Sequence, residues 1–181
     1  MASRSPSGKT FADPDTPISG GRALREWSLT SQARFTRAPK LVVAFVERRG
    51  AYSGIGGDML KLKHWIDSKG IEQAGHPFCQ YYDNPGETPV ESLRSEACIP
   101  VARGFTPEGE FKMKELEETP VAETRHTGRP EDFAATYGPF LEGLLREGYE
   151  LVGPAREYYA TVSAVGGPGW GFLIQQPVAK R

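Results

Sequence analysis

Apolar positions along the first half of the chain switch between the spacing of strands and the spacing of a helix. Residues 41–48 and 78–82 have the apolar character of buried strands, whereas residues 53–68 place apolar side chains three or four positions apart. That stripe consists of Ile55, Met59, Leu62 and Ile66. Gly70 follows it, where glycine commonly ends a helix. After the turn-rich DNPGETP, residues 94–101 predict another strand.

The second half repeats the same order of elements. Residues 110–124 predict a strand, and Pro130-Glu131-Asp132 suits the first turn of a helix. The apolar stripe of that helix consists of Phe133, Tyr137, Phe140, Leu141 and Leu144. Gly148 ends the helix, and residues 156–162 and 171–178 predict the closing strands.

A shift of 78 residues superposes the two halves without a gap as far as Tyr81 on Tyr159. It places residues 43–50 on residues 121–128, and Gly70 on Gly148. The chain therefore contains two β-α-β-β repeats, at about 38–102 and 110–179. Neither repeat can bury both its sheet and its helix alone. We predict one α+β domain over residues 23–181, with pseudo-twofold symmetry, an antiparallel sheet packed by two helices, and a ligand cleft between the repeats.

The N-terminal segment lacks these patterns. Residues 1–22 are rich in Ser, Pro and Gly and predict a disordered tail, and residues 24–37 are expected to contain an entry strand. The longest apolar run, residues 41–46, is too short to span a membrane, and the N-terminus has no apolar segment typical of a secretory signal. We therefore expect a cytoplasmic protein without membrane association.

Charge and metal-ligand spacing exclude two further classes of function. The 22 basic and 23 acidic residues give a net charge of −1, so no basic surface for direct nucleic-acid binding is expected. Cys79 and Cys98 lack the spacing of a zinc site, and we predict free buried thiols. The histidines are scattered at His64, His76 and His126, which favours surface or structural roles. No metal and no cofactor are predicted.

Several segments, in this order, resemble the GyrI-like domain, the effector-binding domain of AraC- and MerR-type multidrug regulators. They are FVERRGAYSGIGGDMLKLKHWIDSKGI, GHPFCQYYDNP, EACIPV, GPAREYY and IQQPV, which lie within residues 41–178. The resemblance implies a duplicated β-α-β-β fold whose cleft binds hydrophobic, often cationic, aromatic molecules. It also implies a glutamate among aromatic residues on a second-half strand as the charge partner, and Glu157 in GPAREYY matches that position.

Two departures from the family pattern bear on the pocket. Leu173 stands where many members have a second glutamate, so one carboxylate is expected and not two. The segment SAVGGPGWG, residues 163–171, replaces an acidic turn and is expected to hold Trp170 on a loop near the mouth. Whether this loop closes over the cleft is left open.

Strand alternation predicts which side chains meet at the seam between the repeats. Glu157 and Tyr159 share one face, as do their repeat mates Cys79 and Tyr81. The predicted ligand-binding set is Glu157, Tyr159, Tyr81, Cys79, Tyr137, Phe140 and Trp170. From the residues alone, a salt bridge from Glu157 to Arg125 or Arg48 is the favoured alternative; the resemblance favours the ligand site.

Three functions remain open at this point. The first is binding of hydrophobic, aromatic or cationic xenobiotics as a stand-alone sensor or sequestering protein, with a separate transcription regulator or a homodimer as partner. The second is hydrolysis of strained cyclopropane-containing xenobiotics, in which Glu157 would be the catalytic base. The third is a gyrase-inhibitor-like protein-interaction module. Whether the protein is an enzyme is not decided by the sequence.

Overall fold

The fold is built from strands and two helices in one α+β unit. The computed structural model describes residues 26–28, 33–129, 132–162 and 169–181, so the predicted tail at 1–22 lies outside the described residues. The strands are β1 (Glu26–Ser28), β2 (Ala33–Ala38), β3 (Leu41–Arg49), β4 (Phe78–Tyr81), β5 (Arg94–Pro100), β6 (Lys112–Leu116), β7 (Thr119–Thr127), β8 (Tyr149–Leu151), β9 (Ala155–Val162) and β10 (Gly169–Lys180). The helices are α1 (Ile55–Ser68) and α2 (Ala134–Arg146), and neither is long and apolar enough to cross a membrane.

The strands of the described chain form one antiparallel sheet in the order β1-β2-β7-β10-β9-β4-β5-β3-β6, and β8 pairs with the far end of β10. The first repeat is β3-α1-β4-β5, and the second is β7-α2-β9-β10 with β8 inserted before β9. The two repeats join through the pairing of β4 with β9. The predicted duplicated α+β fold is confirmed.

The pairing of β4 with β9 also locates the pseudo-twofold axis. In this register Cys79 lies directly opposite Glu157. These are also the two residues that the 78-residue repeat superposes. Because a residue and its repeat mate face each other only at the axis, the axis passes through this pair.

One predicted strand, residues 110–124, is in fact two strands, β6 and β7. β6 pairs with β3 in the first half, whereas β7 pairs with β2 and β10 in the second half, and one straight strand cannot do both. Only Glu117 and Glu118 separate them, although β6 and β7 lie far apart in the strand order. The sheet must therefore curl, and its inner face becomes buried without a covering helix.

The curled sheet has cores on both faces. The inner face buries Val43, Phe45, Phe78, Cys98, Tyr158 and Leu173. On the outer face, α1 packs Leu62 and Ile66 against the first repeat, and α2 packs Phe140 and Leu144 against the second. The cleft between the repeats thus lies on the outer face, where Cys79 and Glu157 point. Both cysteines are free and buried, as predicted.

Each helix is tied to the end of its repeat's first strand by a polar pair. In the first repeat, Arg48 Nε lies 2.5 Å from Asp58 Oδ2, and the Asp58 side chain is buried. In the second, His126 Nδ1 lies 2.7 Å from Thr136 Oγ1. The repeat superposes His126 on Arg48 and Thr136 on Asp58. The buried His126 therefore has a structural role, in agreement with the sequence-based expectation.

Gly54 is the residue on which the Arg48–Asp58 pair depends. A Cβ at Gly54 would lie 2.3 Å from Arg48 Nη1 and 2.4 Å from its Cζ. The Gly54 backbone (φ −80°, ψ −12°) is open to alanine, so any cost arises from displacing the guanidinium.

We expect Gly54→Ala to lower the free energy of unfolding by about 1–2 kcal/mol, because the buried Asp58 loses Arg48, the closer of its two cationic partners. The matched control is Gly56→Ala, where nothing lies within 4 Å of an added Cβ and a small stabilisation is expected. Denaturant unfolding measures both. If Gly54→Ala costs as much in an Arg48→Ala background, the contact with Arg48 is not the cause.

Candidate functional site

Glu157 is a carboxylate held among apolar neighbours at the centre of the sheet. Its cross-strand neighbours are Cys79 on β4 and Ile174 on β10, both fully buried. Glu157 itself is 5% exposed. A carboxylate removed from water in this way is costly unless it is hydrogen-bonded, paired or protonated.

Three tyrosines surround this carboxylate, and together with Glu157 we call them the tyrosine cage. The Tyr137 hydroxyl on α2 donates to Glu157 Oε1 at 2.8 Å, and the Tyr159 hydroxyl approaches Oε2 at 3.5 Å. The hydroxyls of Tyr81 and Tyr159 lie 2.6 Å apart. Since these two tyrosines are repeat mates, their meeting follows from the position of the symmetry axis.

Further aromatic rings pack around the cage. Tyr52 meets Tyr81 edge-on with ring centroids 4.8 Å apart, and Phe172 meets Tyr159 at 5.2 Å. Phe133 lies 6.1 Å from Tyr137 and 4.8 Å from Phe172. The sequence-based set lacks these three residues. The sequence pattern placed Phe133 only in the apolar stripe of the helix. Tyr52 and Phe172 approach the cage through the long-range pairing of strands, which the sequence pattern did not predict.

Burial raises the pKa of Glu157 to about 7. Hydrogen bonds from Tyr137, Tyr81 and Tyr159 act in the opposite direction and offset only part of this effect. Burial likewise raises the pKa of the Cys79 thiol to about 12, so that side of the axis is neutral. Near neutral pH the cage thus holds either a proton or one negative charge.

The salt-bridge alternative for Glu157 is wrong in the part of the chain that the structure describes. Arg48 pairs with Asp58, as shown above. Arg125 lies opposite Leu173 and hence points to the inner face, away from Glu157. No arginine or lysine in the described ranges forms a salt bridge with Glu157, whose hydrogen-bond partners are tyrosine hydroxyls.

The remaining predicted positions fall outside the cage. Phe140 is buried in the core under α2 with Leu144 and Ile174, and is not brought to the carboxylate. Trp170 lies in β10, where it pairs with Thr161, and not in a loop. The Trp170 side chain lies outside the described residues, and so do residues 163–168 of the segment predicted as a loop. Leu173 points to the inner face, so the charge of the cage does not depend on that position.

An open cavity of about 510 Å³ lies elsewhere, at the ends of β3 and β5. It is lined by Glu47, Arg48, Arg49, Tyr82, Arg94, Ser95 and Glu96. Its carboxylates have cationic partners: Glu47 pairs with Lys112 at 2.6 Å, and Glu96 pairs with Lys114. We therefore take the cage as the candidate site, because Glu157, unlike Glu47 and Glu96, has no cationic partner among the described residues.

Comparison with known proteins identifies relatives in both sequence and structure. A family model described as a GyrI-like small molecule binding domain matches residues 31–164. The DNA gyrase inhibitor of Escherichia coli (strain K12) is 36% identical over 114 residues, which cover 59% of this chain and 71% of that protein.

Solved structures share the fold at low sequence identity. The crystal structure of the EcmrR C-terminal domain matches with a TM-score of 0.67 and 20% identity, covering 82% of this chain and 98% of that one. The EcmrR chain in its complex with DNA matches this chain with a TM-score of 0.72 and 18% identity. This match covers 82% of this chain and only 57% of the EcmrR chain.

Two further structures match across most of both chains. A hydrolase encoded by lin2189 from Listeria innocua has a TM-score of 0.59 at 11% identity, covering 81% of this chain and 91% of that one. SAV2435 bound to tetraphenylphosphonium has a TM-score of 0.56 at 9% identity, covering 81% and 93%. At these identities the similarities establish the fold alone.

The Tyr137 hydroxyl stabilises the charged form of Glu157, so Tyr137→Phe should raise the Glu157 pKa further above its ordinary value. Titration of the Glu157 carboxyl carbon by NMR measures this. Tyr149→Phe is the matched control, because the Tyr149 ring stacks on Phe35 and its hydroxyl is not one of the donors to Glu157. A Tyr137→Phe titration that overlays the wild type would contradict the hydrogen bond.

The raised pKa also makes the stability of the fold depend on pH. The folded state keeps the Glu157 proton up to about pH 7, whereas an ordinary glutamate has a pKa of 4.5. The stabilisation from this proton is complete below pH 4.5 and is lost as the pH rises through about 7.

We therefore expect Glu157→Gln to be more stable than the wild type at pH 8 by roughly 3 kcal/mol, with the gap closing toward pH 4.5. Chemical denaturation at a series of pH values tests this. A constant difference across the series would show that Glu157 is not the titrating group.

Proposed function

The chain belongs to the GyrI-like small-molecule-binding domain family, and from this premise we propose that the tyrosine cage binds a hydrophobic aromatic cation. The observation that carries the proposal is the burial of Glu157 without a cationic partner among the described residues. Glu157 is a buried carboxylate that contacts tyrosine hydroxyls and, in the described part of the chain, no cationic side chain.

A lipophilic cation supplies what the cage lacks. Its positive charge interacts with Glu157 in a site of low dielectric constant, where the attraction is larger than in water. The faces of Tyr81, Tyr137 and Tyr159 add cation–π attraction, and the apolar groups of the ligand replace water against the rings. A neutral ligand of the same shape gains only the last of these contributions.

Entry into the cage requires the outermost aromatic pair to separate. Tyr159 is 44% exposed, whereas Glu157 behind it is buried. The hydrogen bond between the Tyr81 and Tyr159 hydroxyls joins the two repeats at this point. Exchanging one hydroxyl–hydroxyl bond for ligand contacts is a small cost, about 1 kcal/mol, compared with the gain from pairing Glu157.

In this proposal the protein acts as a sensor or sequestering protein for xenobiotics. The gyrase inhibitor from E. coli is similar in sequence, and the EcmrR C-terminal domain is similar in fold. Coupling to a separate transcription regulator is one route from binding to response. The balanced charge of the chain gives little support to a module that acts by inhibiting an enzyme.

A second candidate function is hydrolysis in the same cage. Its support is the Glu157 pKa of about 7, which suits a general base near neutral pH. Glu157 would take a proton from water as the water oxygen bonds to a carbon of an activated cyclopropane. The strained C–C bond breaks, its electrons move toward a conjugated carbonyl of the substrate, and Glu157 returns the proton to that fragment.

Tetraphenylphosphonium should bind more tightly as the pH rises through about 7, because Glu157 becomes the carboxylate that pairs with it. Glu157→Gln should weaken binding by about 1–3 kcal/mol at pH 8 and remove most of the pH dependence. Calorimetric titration gives both quantities, with neutral triphenylphosphine oxide as the reference ligand.

Glu123→Gln is the matched control for this test. Glu123 is a second buried carboxylate, but it points to the inner face and accepts a hydrogen bond from Gln175 at 2.6 Å. It should leave the affinity for the cation unchanged. Equal affinities in wild type and Glu157→Gln would sink the proposal.

The hydrolase alternative predicts a different result with a cyclopropane-bearing alkylator. Mass spectrometry should then show a water adduct forming faster than in buffer, and Glu157→Gln should abolish this turnover while binding persists. Recovery of the intact compound after prolonged incubation would favour a binding protein.

A further inference from the structure

The backbone around the cage is pseudo-symmetric, but its side chains are not. Three residues on the second-half side, one acidic and two aromatic, have repeat mates that are aliphatic or sulfur-bearing. The pairs are Glu157 with Cys79, Tyr137 with Met59, and Phe133 with Ile55. Tyr159 and Tyr81, in contrast, are both aromatic and meet across the axis.

Opposite Glu157 and Tyr137, the first-half side of the cage is therefore an apolar surface. Ile55, Cys79 and Ala97 form a buried cluster, and Met59 and Tyr81 pack against it. Asp58, which precedes Met59 on α1, is paired with both Arg48 and Lys61. The Cys79 thiol is uncharged, so this surface offers dispersion contacts and no counter-charge.

The second-half side differs in both charge and ring content. Glu157 carries the one negative charge that the tyrosines contact, and Tyr137, Phe133 and Phe172 contribute aromatic faces and edges next to it. A ligand in the cleft thus meets charge and rings beside Glu157, whereas the first-half side offers the aliphatic and sulfur groups of Ile55, Met59 and Cys79 next to the Tyr81 and Tyr52 rings.

We infer that the ligand is a monocation that carries its charge beside an aromatic group and also bears an aliphatic chain, and that it binds in one orientation. The charged aromatic end lies toward Glu157 and Tyr137, and the chain lies over Met59 and Cys79. This inference rests on the proposed function, because it assigns a structure to the cation that the cage is proposed to bind.

Two ligands with the same head group test it: benzyltrimethylammonium and benzyldimethyloctylammonium. The octyl compound should bind the wild type at least roughly tenfold more tightly, since each buried methylene contributes about 0.8 kcal/mol. Met59→Ala should remove most of that gain and leave the affinity for the trimethyl compound nearly unchanged. Met113→Ala, at a similarly half-buried methionine on β6, is the matched control and should alter neither.

A second measurement needs no variant. The chain contains three methionines, so labelling their methyl carbons gives few NMR signals. The octyl chain of the bound ligand should show a nuclear Overhauser effect to the Met59 methyl group and none to Met113. Contact of the octyl chain with Tyr137 and not with Met59 would overturn the orientation.

The outcomes separate the inference from the function on which it rests. If both compounds bind with equal affinity and their binding depends on Glu157, the cage binds cations but the inferred contact of the alkyl chain with Met59 and Cys79 is wrong. If neither compound binds and tetraphenylphosphonium does not bind either, the proposed function itself fails. A gain from the octyl chain that survives Met59→Ala, together with absence of the Met59 contact, also overturns the inference.

Discussion

The pairing of β4 with β9, with Cys79 opposite Glu157, is the constraint on which the rest of the structure depends. In this ladder of backbone hydrogen bonds the two repeats meet at the symmetry axis. Because the ladder fixes the register, it also fixes which side chains meet in the cleft: a one-residue slip would turn Glu157 to the inner face. The fold and the candidate site are therefore specified by the same contact.

The cage is also where the fold gives up stability. Asp58 and Glu96 are buried carboxylates that have cationic partners, Arg48 and Lys114. Glu157 has hydroxyls instead, and because burial raises its pKa to about 7, that arrangement costs stability above neutral pH. Proteins commonly accept such a cost at functional sites, where the missing partner is supplied by a ligand. The two helix anchors and the curled sheet hold the site in place while it remains unpaired.

The sequence predicted the local elements well and the long-range ones poorly. The repeat and the helical stripes identified both helices and the Cys79–Glu157 meeting, because these depend on local periodicity and on symmetry. The split of residues 110–124 into β6 and β7 was missed, since it follows from the curl of the sheet and not from alternation. Tyr52 and Phe172 were missed for the same reason, and Phe140 has the same periodicity as Tyr137 although only Tyr137 faces the cleft.

The position of the axis explains why the repeats differ most at the cage. Residues facing each other across an antiparallel pair have Cα atoms about 4.5–5.5 Å apart. Two identical glutamates there would place two carboxylates within a few ångströms of each other in a buried site, and one of them would have to keep its proton. A glutamate opposite a neutral cysteine avoids that repulsion and leaves a single charge. The repeats thus supply two equivalent strands, and electrostatics at the axis favours different residues at their central positions.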